Sequence, residues 1–91
     1  QYVLVPSHEW RRLRSKHPGQ YEAAIPSPPS PDAWVHLRLE LNGPTIRVFI
    51  DRASEPVLIV DRIGAVEKGW IGLWVGNGSE GRFADLKVSL K

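Results

Sequence analysis

Apolar and polar residues alternate with a period of two through residues 34–41. Val35, Leu37, Leu39 and Leu41 fall on one side, and Trp34, His36, Arg38 and Glu40 on the other. Side chains of a strand point alternately to its two faces, so this pattern predicts a half-buried β-strand. Asn42-Gly43 follows, the strongest short hairpin signal, and Pro44 after it argues for a slightly longer loop. Residues 45–51 supply the partner strand, with Ile46, Val48 and Ile50 inward and Arg47, Phe49 and Asp51 outward. Residues 56–61 read as a third strand, apolar on both sides through Val57 to Val60, which predicts fuller burial. Residues 69–90 predict a closing hairpin around a glycine-rich turn. Ile71, Leu73 and Val75 share one face before it, and Ala84, Leu86, Val88 and Leu90 alternate with Asp85, Lys87 and Ser89 after it. Leu73, Leu86 and Val88 are expected core residues.

The N-terminal third has no such period. Residues 1–5 suggest a short strand stopped by Pro6. Ser7 can cap a short helix running through Glu9, Trp10, Arg11, Arg12 and Leu13, with an ordered loop as the equal alternative. Pro18-Gly19 marks a turn, and residues 25–32, with four prolines, read as a stiff extended connector. The sum is an all-β fold. It is expected to be an antiparallel β-sandwich of about six strands with a long Pro-rich loop, forming one domain over residues 1–91.

Composition narrows the function classes. The chain has 91 residues, a net charge of +2 and no cysteine. Disulfide frameworks and thiolate metal sites are therefore excluded, and charge this near balance does not call for a nucleic-acid partner. No apolar run approaches the roughly 20 residues of a membrane-spanning helix, so no membrane partner is expected. The start at Gln1, without methionine and directly in a strand-like run, is read as lying within a longer product or as a trimmed end.

Several stretches together resemble bacterial concanavalin A-like lectin/glucanase domains, some of them laminin G-like. These are Gln1-Tyr2, Leu13-Arg14, Pro18-Gly19-Gln20-Tyr21-Glu22, Trp34-Val35-His36-Leu37-Arg38, Glu55-Pro56-Val57-Leu58-Ile59-Val60 and the closing Gly69-Trp70-Ile71-Gly72-Leu73-Trp74. The resemblance implies a jelly roll, of which this chain is the C-terminal half. It also implies a secreted or periplasmic setting and a polysaccharide or oligosaccharide partner. The closely spaced catalytic acids of the family's hydrolase branches have no counterpart here.

The candidate ligand-binding residues are Trp34, His36, Arg38, Arg47 and Trp74. Sugar recognition needs an aromatic ring against apolar C–H faces beside charged groups for the hydroxyls, and the polar faces of two adjacent strands offer that mixture. The competing role for Trp70 and Trp74 is core packing, since the chain has few other large groups. For Arg38, Glu40 and Arg47 it is cross-strand ion pairing. Glu40 and Asp51 can approach across the hairpin, but Arg38 and Arg47 beside them favour the ionised forms, which a proton donor must avoid. The three histidines lack ligand spacing, and no serine sits in a nucleophile elbow. No catalytic residue, metal or cofactor is therefore assigned. Asn77 and Asp85 are the residues closest to a calcium set, and one loop supplies too few oxygens. The basic run at Arg11, Arg12, Arg14, Lys16 and His17 beside Trp10 is read as a solvated loop.

The expected function is a carbohydrate-binding or structural β-sandwich module without its own catalysis. The alternative is a glycoside-hydrolase-type enzyme completed by residues outside the chain or by a second copy. About half the strands of the resembled fold are expected in one chain. A homo-oligomer is therefore expected, by stacking of sheets or exchange of residues 2–5, against a monomer in which Trp10, Leu13, Tyr21 and Ile25 form a lid.

Overall fold

A computed structural model describes residues 1–64, 68–76 and 78–90. The fold is of β type with little helix: helix α1 (Trp10–Lys16) precedes strands β1 (Leu37–Asn42), β2 (Thr45–Ile50) and β3 (Leu58–Asp61). The strands form one antiparallel sheet in the order β1-β2-β3. Three strands thus stand among the described residues where about six were expected.

The β1–β2 hairpin is tighter than its sequence suggested. Asn42 pairs directly with Thr45, leaving a two-residue loop of Gly43 and Pro44. Gly43 takes φ +58, which proline at the next position does not obstruct. The turn therefore follows the type II′ pattern, with glycine first and an ordinary φ second. Pro44 also accepts a hydrogen bond from the Arg62 N–H at 2.6 Å, fastening the end of β3 to this turn.

The β2–β3 link starts with Asp51 (φ +52) and Arg52 (φ +61), closed by an Ala53 N–H to Ile50 O bond. Two consecutive positive φ values define a type I′ turn, which asparagine, aspartate and glycine accept most readily.

The two faces divide the residues as the alternation predicted, but their burial does not follow. Leu37, Leu39 and Leu41 lie beside Ile46, Val48 and Ile50 on one face, and all three leucines are exposed, Leu39 by 55%. On the other face Phe49, expected outward, is only 5% exposed. The reason is local. Phe49 pairs with Arg38, whose guanidinium carbon sits 4.1 Å from the ring centroid and covers it. Val60 is buried on the leucine face, whereas its neighbour Ile59 is exposed, so β3 is not closed in on both sides.

Among the described residues the expected closing hairpin does not form; Asn77, at its turn, lies outside them. Residues 68–76 and 78–90 contain no strand, and Leu73, Leu86 and Val88 are exposed, Leu73 by 51%. Alternation fixes which side chains share a face, but burial requires a second layer over that face, and nothing in the periodicity supplies one.

The N-terminal region folds as a separate packing centre. Residues 1–5 make no strand, only a single bridge between Leu4 and His8. Glu9, not Ser7, caps α1: its carboxylate accepts from the Arg11 and Arg12 N–H groups at 3.2 and 2.8 Å. Two bonds to a charged acceptor outweigh what a hydroxyl two residues earlier can offer, and the Ser7 hydroxyl pairs with His8 Nδ1. Leu13, on the inner side of α1, is the most completely buried side chain described. Tyr2 ties this region to the sheet. Its N–H donates to Tyr21 O, and its hydroxyl accepts from the Ile63 N–H at 3.0 Å, just after β3.

Candidate functional site

An open cleft of about 770 Å³ lies between residues 31–34, just ahead of β1, and a second wall of Val75 and residues 79–82. Pro31 fixes the approach of the first wall, and an Ala33 N–H to Ser30 O bond turns the chain there. Trp34 stands at this wall 70% exposed. Asp32 shares the wall, and Ser79, Glu80 and Arg82 face it. Within the second wall Gly81 packs closely on Val75: a side chain there would meet Val75 Cγ2 at 3.3 Å. An exposed indole, two carboxylates, a hydroxyl and a guanidinium thus border one concave surface.

The other sequence-expected ligand residues are distributed differently. His36 begins β1's pairing with the turn after β2: its carbonyl accepts from the Asp51 N–H at 2.8 Å, and its own N–H donates to Asp51 Oδ1 at 3.1 Å. Arg38 covers Phe49. Arg47 stands opposite Glu40 in the β1–β2 register. Trp74 is exposed and folds back so that its ring lies against Gly76, where a side chain would meet Trp74 Cη2 at 3.2 Å. Trp70 is fully exposed, so neither tryptophan takes the core role. Of the five candidates, only Trp34 borders the cleft.

Asp32, Ser79, Glu80 and Arg82 are the cleft residues that periodicity did not single out. They lie in irregular segments, and only the tertiary path brings residues 31–34 to residues 79–82. The one advance signal was that polar, chemistry-bearing residues concentrate in loops. Asn77, the other member of the calcium pair considered, lies outside the described residues, and Asp85 is exposed. Among the described residues no group of three His, Asp or Glu side chains could hold a metal ion. No described helix is long and apolar enough to cross a membrane.

A second, smaller cleft of about 440 Å³ is bordered by Ile25, Pro26, Ile50, Asp51, Glu55 and Val57, among others. Here the Pro-rich connector lies along the end of the sheet. The basic run forms α1 rather than a loop. Trp10 there has the guanidinium carbons of both Arg11 and Arg14 at 5.0 Å from its ring centroid. Arg14 also grips Glu22 through two 2.8 Å bonds. These hydrogen bonds hold the Glu22 carboxyl below its ordinary value and raise Arg14. The basic cluster is therefore partly neutralised by its own surroundings.

Comparison of the chain with protein-family models, with curated proteins and with solved structures finds no match in any of the three.

Proposed function

We propose that the chain is a carbohydrate-binding module of the β-sandwich class, without catalysis of its own. The observation that carries this reading is the exposed Trp34 indole on a cleft whose other polar borders are Asp32, Ser79, Glu80 and Arg82. A pyranose ring has apolar C–H faces that stack on an indole and hydroxyls that both donate and accept. Carboxylates accept from those hydroxyls, and a guanidinium donates to them. An indole left in water at such a cleft costs hydrophobic free energy that a stacked sugar recovers.

The jelly-roll architecture of about six strands, resembling concanavalin A-like domains, belongs to the same proposal. The three-stranded sheet is one layer of it, with a leucine face open to a second layer.

Affinity electrophoresis of the whole chain in gels containing neutral soluble polysaccharides tests the reading. Retardation by at least one glucan, relieved by its free oligosaccharide, is the expected result. Unretarded migration in every neutral polysaccharide overturns it. Two carboxylates on one cleft, Asp32 and Glu80, favour a second reading as a glycoside hydrolase. Release of reducing ends from a retarding polysaccharide, abolished by Asp32→Asn or Glu80→Gln, would establish that reading.

A further inference from the structure

Among the described residues the outer edge of β1 is open. β1 ends the sheet, and among the described residues no backbone hydrogen bond reaches that edge from outside the sheet. The bonding phase identifies which groups it presents. The Asp51 N–H to His36 O bond directs the backbone of residue 36 toward β2. In an antiparallel pair the bonding groups alternate, so those of Arg38, Glu40 and Asn42 also face β2. The N–H and C=O groups of Leu37, Leu39 and Leu41 therefore point outward. Their side chains lie exposed on one face. This six-residue edge has no proline and no lysine, and its two charges, Arg38 and Glu40, are of opposite sign, so they do not by themselves repel a second such edge.

We propose that this edge pairs with the same edge of a second copy, antiparallel about a two-fold axis through Leu39. Two independent constraints select that register. Hydrogen bonding requires outward residues to face outward residues, so the odd-numbered positions must pair with one another. Charge then chooses among the remaining registers. With Leu39 opposite Leu39 of the second copy, Leu37 meets Leu41, and Arg38 meets Glu40 twice, once on each side of the axis. A shift by two residues in one direction sets Arg38 against Arg38, and in the other sets Glu40 against Glu40. Like charges directly opposite are destabilising and opposite ones stabilising. Arg38 keeps its place over Phe49 and Glu40 its contacts within the chain; these reduce the effect of the two charges on the register but do not reverse its sign.

The result is one continuous antiparallel sheet of six strands, β3-β2-β1 followed by its symmetry mate. The leucine faces of the two copies join across the axis, so a face too small to form a layer in one copy becomes a broad one in two. The interface is isologous, so it closes at two copies. It does not depend on sugar binding, because no residue of β1 borders the cleft.

Light scattering behind gel filtration, on the whole chain at about 100 μM, tests the proposal. The expected mass is twice the chain's 10.2 kDa. Arg38→Glu and Glu40→Arg each place two like pairs across the axis and should weaken association by about thirtyfold, giving monomers at lower concentration. Mixing the two variants one to one restores opposite charges at both pairs and should restore the dimer. The double variant carrying both changes should also dimerise. Circular dichroism on each single variant separates loss of pairing from loss of fold, and recovery on mixing requires folded partners.

A wild-type monomer overturns the proposal. If its Leu37, Leu39 and Leu41 amides are also protected from exchange, another segment of the same chain occupies the edge. Single variants that stay dimeric, or a mixture that stays monomeric, overturn the register.

Discussion

The guanidinium carbon of Arg38 lies 4.1 Å from the ring centroid of its cross-strand partner Phe49. The arginine covers one face of the ring and so contributes to the burial of Phe49, one of the most buried residues described, although it lies on the polar face. Phe49→Ala should cost about 3–5 kcal/mol in urea unfolding, the range for a buried phenylalanine. Arg38→Ala, which uncovers the ring without removing it, should cost about 0.5–2 kcal/mol. A Phe49→Ala protein as stable as wild type would mean that the ring is not part of the core.

Tyr2 joins the N-terminal segment to the chain just after β3 by a hydroxyl that accepts from the Ile63 N–H. Tyr2→Phe keeps the ring and its tilted contact with Tyr21 but leaves that part-buried donor without its acceptor. The expected loss is about 0.5–1.5 kcal/mol, with faster hydrogen exchange at the Ile63 amide. Unchanged exchange there would place the Ile63 proton on another acceptor.

Arg52 holds φ +61 at the second central position of the turn after β2, where glycine is the least strained residue. Arg52→Gly should raise stability by about 0.5–1 kcal/mol, because relief of the left-handed conformation exceeds the added freedom of the unfolded chain. Thermal unfolding measures this. The same change at Arg47, in the middle of β2, should destabilise.

Glu22 is held below its ordinary value of 4.5, first by the hydrogen bonds from Arg14 and opposed in part by desolvation. A carboxyl whose folded value is depressed binds fewer protons folded than unfolded in the acid range. Its stabilising contribution is therefore present above pH 4.5 and is lost as pH falls through the folded value. In a carboxyl-resolved NMR titration, Glu22 should titrate below 4.5 in the wild type and move upward in Arg14→Ala. An unmoved midpoint would show that Arg14 is not the cause.

Trp34→Ala should leave the fold intact, since the indole is 70% exposed, and should weaken polysaccharide binding by about tenfold, or about 1.4 kcal/mol. Trp74→Ala, away from the cleft, serves as the control. Calorimetric titration with a retarding oligosaccharide separates the two. Equal effects from both changes would remove the cleft from the binding site.

Much of the sheet was legible in the sequence because it is local. The period-two alternation placed the two strands and the division of their faces, although β1 begins at Leu37 rather than Trp34 and the two-residue turn is Gly43-Pro44, one position past the Asn42-Gly43 signal. β3 lay inside its predicted span. A helix over the Trp10 region was one of two open readings, and the carboxylate that starts it stands immediately before it. The exposed Trp34 was also among the residues singled out in advance.

What the sequence could not determine is what each face meets. Leu37, Leu39 and Leu41 have the alternation of a core face and are exposed, while Phe49 has the position of a surface residue and is buried. Burial depends on which atoms arrive from elsewhere, and periodicity describes only one strand at a time. The same reason separates Leu73 and Leu86 from the core role their spacing suggested, and it brings Glu80 and Arg82 to Trp34 across some 45 positions of chain. The strand phase and the charges of Arg38 and Glu40 are properties of the sequence by itself. The open edge of β1 and the cleft at Trp34 exist only in the folded chain, because each depends on where distant segments come to rest.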